Sequence, residues 1–98
     1  MSAGIIESYK DSPLFSTKSI SERCKCDKKF HVAVQNCLKR YYSGDWGDIE
    51  RTDKQLNDSA AKNKDDRIVA EYDIGCRRIF IITEEDLSRT TVLFSNEY

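Results

Sequence analysis

A single histidine and four cysteines limit what this chain can do by nucleophilic or acid–base chemistry. A Ser-His or Cys-His pair would depend on His31. That residue follows Phe30 but falls off the apolar stripe of its helix, and it reads as solvent-facing. Cys24 and Cys26 form a C-x-C pair, while Cys37 and Cys76 stand alone. Two C-x-x-C knuckles would signal zinc; one C-x-C with His31 nearby does not. Four reduced thiols are expected, with Cys37 a small buried group on a helix face. Neither a glycine-rich phosphate loop nor a dinucleotide fingerprint occurs. The remaining chemical resource is carboxylate: Asp45, Asp48, Asp53, Glu84, Glu85 and Asp86 would cluster if the segment around Trp46 packed over the 83–90 loop. Such a cluster has the oxygen ligands for Mg²⁺ or Ca²⁺. Capping explains the same residues, with Asp48 starting a helix and Asp86 ordering its loop with Ser88 and Thr90. The expectation is no catalysis and no cofactor, with Asp45, Trp46, Asp48, Asp53, Glu84, Glu85 and Asp86 as a partner-binding surface. An accessory enzyme or metal-binding protein using the acidic cluster or the C-x-C pair is the alternative.

The elements that must position these groups meet at Gly44-Asp45-Trp46-Gly47-Asp48. A glycine just past a helix adopts positive φ without a Cβ penalty, so Gly44 should end one helix. Gly47 lets the chain turn again, leaving Trp46 between two turns with an N–H that needs a partner. Before this corner, Asp27 should cap a helix whose apolar stripe is Phe30, Val34, Cys37, Leu38 and Tyr41. After it, a helix should run from an Asp48 cap to about Lys62, with Ile49, Leu56 and Ala60 on its inner face; Asp53 interrupts that face, needing a partner if buried, and Asn57 lies four residues further on. A second possible start is the box Thr52-Asp53-Lys54-Gln55. Further upstream, Gly4–Tyr9 has strand character, and Leu14 and Phe15 give a short extended piece, an edge strand at most. Ser19-Ile20-Ser21-Glu22 has the form of a capping box for a short turn to about Cys24.

Three strands close the chain. Residues 67–73 alternate; 78–83 are apolar on both faces, as in a strand covered on two sides; residues 90–94 follow a polar loop. Short connections make an antiparallel meander with 78–83 at its centre. The predicted fold is α+β, two main helices on one face of a three-stranded or slightly larger antiparallel sheet. One domain over 1–98 would comprise an irregular segment 1–26, a helical part 27–62 and a sheet 67–95. The second sheet face would then be open to the N-terminal segment, a second copy as a homodimer, or a protein partner.

Charged residues make up 34% of the chain and leave a formal net charge of −1. That balance argues against direct nucleic-acid binding. No apolar run approaches the roughly 20 residues of a membrane span, and no basic-then-apolar leader is visible. A cytoplasmic protein is the expectation.

Arg40, Gly44-Asp45-Trp46-Gly47-Asp48, Asp53, Asn57, Ile81-Ile82-Thr83-Glu84, Asp86, Ser88, Thr90-Thr91-Val92-Leu93 and Glu97-Tyr98 form a spaced pattern over about the last sixty residues. The pattern resembles a family of small proteins carried on bacterial plasmids, integrative elements and phages. Members often have histidine in place of Tyr41, arginine in place of Leu87 and proline near Ser95. Small proteins on mobile elements are often inhibitors of host defence, anti-CRISPR proteins included. The resemblance therefore implies binding to a host protein, such as a CRISPR-Cas effector or another defence nuclease, in the bacterial cytoplasm.

Overall fold

A computed structural model of the protein describes residues 8–63, 66–75 and 77–98. Of the expected strand Gly4–Tyr9, residues 4–7 lie outside them, as does the thiol of Cys76, while Ser8 and Tyr9 open a 3-10 turn instead of a strand. Among the described residues the fold is α+β, with three α-helices and one four-stranded sheet. Strand β1 (Leu14–Ser16) precedes helices α1 (Lys18–Cys26), α2 (Lys28–Tyr42) and α3 (Arg51–Asn63). Strands β2 (Ile68–Asp73), β3 (Arg78–Thr83) and β4 (Thr90–Phe94) follow, in the sheet order β1-β4-β3-β2.

The three C-terminal strands form the expected antiparallel meander, with β3 central. The sheet as a whole is mixed rather than antiparallel, because β1 joins β4 in parallel. Its register is held at both ends, by the Thr90 amide on the Pro13 carbonyl and the Thr17 amide on the Val92 carbonyl. The segment expected to be irregular therefore carries β1, α1 and a 3-10 turn at Tyr9–Asp11. Helix α1 also starts differently from expectation: Thr17 caps it through Ile20 N–H, in place of the Ser19/Glu22 box.

Helix α2 follows its sequence signals closely. The Asp27 carboxylate accepts the Phe30 amide, and Phe30, Val34, Cys37 and Tyr41 are buried. That bond also holds the Asp27 carboxyl below its ordinary value. At the other end Gly44 has φ +88°, and the amides of Gly44 and Asp45 return to the carbonyls of Tyr41 and Arg40. These paired bonds satisfy carbonyls that a helix end otherwise leaves open.

Helix α3 departs from expectation. It begins at Arg51, and Asp48 does not cap it. Asn57 and Ala60 face inward, while Leu56 is 61% exposed. Ala60 is thus buried as expected and Ile49 packs partly against the core, whereas Leu56 turns outward and its neighbour Asn57 turns in. Asn57 occupies the inner position because its carboxamide meets the backbone of β2, a partner that leucine lacks.

The core joins residues of all three helices, Ile20, Phe30, Val34, Cys37, Tyr41 and Ala60, to one side of the sheet through Ile68, Ala70, Tyr72, Ile79, Ile81, Val92 and Phe94. Tyr9 adds a ring from the N-terminal turn, with its centroid 5.6 Å from those of both Tyr41 and Trp46.

Gly47 is where the backbone approaches most closely. It has φ +80°, and a Cβ there would overlap the Glu71 carbonyl oxygen and the Tyr72 ring, whereas Gly44 faces open space. Gly47→Ala should cost about 2–5 kcal/mol, from left-handed strain plus overpacking. Gly44→Ala should cost only the strain, about 1–2 kcal/mol. Urea unfolding of the two variants checks the difference, and equal losses would contradict the close approach.

Candidate functional site

The corner at 44–48 docks along the outward edge of β2. In β2 the main-chain groups of Val69, Glu71 and Asp73 point away from β3, and each residue finds a partner from the chain itself. The Asn57 carboxamide donates to the Val69 carbonyl at 2.8 Å and accepts the Val69 amide at 3.3 Å. The Glu71 amide donates to the Trp46 carbonyl, and the Asp48 amide to the Glu71 carbonyl, around a parallel bridge of Gly47 with Glu71. The Asp48 carboxylate accepts the Asp73 amide at 2.9 Å. This bond explains why Asp48 is not the cap of α3: its carboxylate completes a strand edge. An exposed strand edge is a template for unwanted pairing, and here the corner and α3 cover it.

Asp45 fixes the corner to α2. Arg40 Nε and Nη2 reach its two carboxylate oxygens at 2.7 and 3.3 Å, and the Gly47 amide donates to Oδ1. The Arg40 guanidinium, helped by the Gly47 amide, holds the Asp45 carboxyl below its usual range. The Asp45 carbonyl accepts the Tyr72 hydroxyl at 2.7 Å, and Arg40 lies over the Tyr72 ring. Burial pushes the Tyr72 phenol far above its ordinary value.

Trp46 is 3% exposed, and its Nε1–H donates to Asp58 Oδ1 at 2.8 Å. Its ring sits against Tyr9 and Tyr41. Below this aromatic group the hydroxyls of Tyr41, Thr83 and Thr90 form a buried chain, with separations of 2.5 and 2.7 Å. Burial pushes the Tyr41 phenol well above its ordinary value. The chain pairs polar groups that would be costly to bury alone.

The predicted carboxylates do not converge. Asp48 lies beside Asp73, at one end of β2. Glu84, Glu85 and Asp86 follow Thr83, which pairs with Ile68 at the other end. Five residues of strand separate these positions, roughly 17 Å. Asp53 stands exposed in the first turn of α3. In the 84–89 loop the Ser88 hydroxyl and amide hold the Asp86 carboxyl below its usual value. Leu87 takes a positive φ of 61° there, with its side chain in the core. Cys24 and Cys26 are two apart on a helix, so they do not face one another. Among the described residues no group of three or more histidine, cysteine or acidic side chains is placed to hold a metal ion.

What sequence reasoning missed is the aromatic and guanidinium set on the side of the sheet opposite the core. Phe80 and Tyr98 have ring centroids 5.0 Å apart, and Arg67 donates to the Tyr98 hydroxyl at 2.6 Å. Arg89 lies over Phe15. Phe15 and Tyr98 are 54% and 61% exposed. The alternation of 67–73 assigned faces to that strand; the positions of Phe15 and Tyr98 depended on pairings that alternation does not contain.

The spaced pattern of the C-terminal sixty residues corresponds closely to these structural bonds. Arg40 holds Asp45, Asp48 and Asn57 seal β2, and Thr83 and Thr90 join the hydroxyl chain. Glu97 accepts from the Phe94 amide and from Thr17. Asp53, Glu84 and Thr91, which also belong to the pattern, make no side-chain bond among the described residues. Compared with protein-family models, curated proteins and solved structures, the chain matches none.

Two outcomes follow. Trp46→Ala should lose about 3–5 kcal/mol of stability, read by denaturant unfolding, because it empties a buried aromatic site. A variant that melts like the parent would contradict that role. For Asp45 the folded pKa is depressed, so its stabilisation is complete above the unfolded value of about 3.9 and is lost as pH falls through the folded value. The stability gap between the parent and Asp45→Asn should therefore close on acidification below about pH 4. Urea midpoints measured across pH check this, and a constant gap would contradict the Arg40 pairing.

Proposed function

We propose that this chain is a non-catalytic protein-binding inhibitor of mobile-element origin, acting in the bacterial cytoplasm on a host defence complex such as a CRISPR-Cas effector. The observation that carries the binding half is the outer sheet face. The helices take the opposite side, and this side presents Phe15 with Arg89 and Tyr98 with Phe80 and Arg67. Aromatic and arginine side chains are the types most enriched at energetic centres of protein interfaces. Flat rings stacked with guanidinium groups lose little rotamer freedom when a partner covers them. The defence target is supported by the pattern around Trp46 and its resemblance to mobile-element proteins. In this reading Asp45, Asp48 and Asp86 hold backbone rather than partner, and Trp46 keeps its corner rigid. Among the described residues no helix is long and apolar enough to cross a membrane, in keeping with a partner met in solution.

A second copy of the chain is the competing occupant of the face, and sedimentation at micromolar concentration separates the two. The deciding experiment is affinity capture of CRISPR effector and restriction complexes on the full chain, with interference assayed in cells. Capture should fall at least about tenfold with Phe15→Ala plus Tyr98→Ala, at an unchanged melting temperature. If no defence complex is retained and interference stays intact, the proposal is wrong.

A further inference from the structure

The two edges of the sheet are treated differently. The β2 edge is sealed by Asn57, Trp46 and Asp48, whereas among the described residues the β1 edge ends the sheet, with a three-residue strand exposed at every position. The bonds at Pro13 and Thr17 show which groups face outward. The Pro13 carbonyl and the Thr17 amide point at β4, so by alternation those of Phe15 do too. The amides and carbonyls of Leu14 and Ser16 therefore point away from the sheet.

Beside this edge lies a groove of about 340 Å³ between β1 and the two helices α1 and α2. Ile20, Val34 and Leu38 contribute apolar surface to it, and Leu14, 49% exposed, forms its rim. The groove continues past Cys24 and His31 into a second cleft bordered by Lys25 and Lys28. Residues 18–42 hold seven lysines and arginines against two acidic residues, in a chain whose net charge is −1. Among the described residues the ion pairs engage Arg23 and Arg40 but neither Lys25 nor Lys28.

We infer that the β1 edge accepts an extended acidic segment of a partner protein as a fifth strand. The Leu14 and Ser16 main chain supplies the pairing. Alternate apolar side chains of the segment enter the groove over Val34 and Leu38, and a carboxylate meets Lys25 and Lys28. Edge addition takes affinity from main-chain bonds and selectivity from pockets for every second side chain, and both parts lie side by side here. The basic rim specifies the sign of charge. An apolar floor and an open strand edge suit a peptide better than a nucleic acid, whose backbone is charged throughout. The inference concerns a different surface from the outer face, and it does not depend on the partner being a defence complex.

Selection of a random heptapeptide display library on the full-length chain tests it. Enriched peptides should carry apolar residues at every second position with an Asp or Glu at one end in the same register, since only that face of the strand meets the groove and its lysines, and their binding should weaken with salt. Ser16→Pro removes an outward amide without touching the β4 ladder, and it should weaken these peptides about tenfold or more. Lys25→Glu with Lys28→Glu should do the same at an unchanged melting temperature. If Ser16→Pro lowers the melting temperature, Ser16 N-methylated by chemical ligation replaces it. No enrichment, enrichment without acidic residues, or full binding by these variants would overturn the inference. Protection of the Leu14 and Ser16 amides from hydrogen exchange in the free protein would also overturn it. It would show the edge already filled, by a second copy if the protection grows with concentration and by the chain's own N-terminal residues if it does not. Binding of a 20-nucleotide single-stranded DNA abolished by the lysine reversals, with no peptide enriched, would assign the basic rim to nucleic acid instead.

Discussion

The edge of β2 is the constraint on which the rest of the structure depends. A strand at the end of a sheet leaves every second residue with an amide and a carbonyl pointing outward, and burying those groups unpaired is costly. This chain meets the demand from three sources. A carboxamide on α3 serves Val69, the backbone around Gly47 serves Glu71, and the Asp48 carboxylate serves the Asp73 amide. Because these partners come from separate segments, sealing the edge also fixes where α3 and the corner lie. Gly47 makes the approach possible, since any side chain there would collide with the strand it pairs.

The same constraint makes the corner an architectural unit. Arg40 and Asp45 tie it to the end of α2, Tyr72 ties it to β2, and Trp46 reaches Asp58 on α3. Each bond by itself is modest, about 1 kcal/mol net. Their joint effect is geometric, because removing one loosens a turn that positions the others. The tryptophan ring then closes against Tyr9 and Tyr41, which links the N-terminal turn to the same point. Polar residues that read in the sequence as a candidate binding cluster are thus largely occupied with holding the backbone.

Interaction surface is left where that scaffolding ends. The outer face carries aromatic rings stacked with arginines, and the β1 side carries a strand edge that no described residue pairs, next to a basic rim. These regions differ in chemistry, one broad and aromatic, the other linear, with an apolar floor and a basic rim. Both use residues of the N-terminal segment, Leu14 and Phe15, that the spaced C-terminal pattern does not include.

Local patterns by themselves determined a good part of the fold. The i, i+4, i+7 stripe of α2, its Asp27 cap and its Gly44 stop are short-range facts, as are the alternation of β2 and the apolar runs of β3 and β4. Only the tertiary structure decided the rest, for identifiable reasons. The β1 strand is three exposed residues without alternation, and its parallel partner lies near the other end of the chain. Asp48 has the side chain of a helix cap, but a strand amide competes for the same oxygen. Leucine outranks asparagine for burial by transfer energy, yet Asn57 is buried and Leu56 exposed because a backbone edge offers the amide two bonds. The carboxylates looked close in the sequence's implied corner, and the length of β2 holds them apart. Periodicity carries information about a residue's own element; which backbone groups an edge leaves open is known only once the strands have paired.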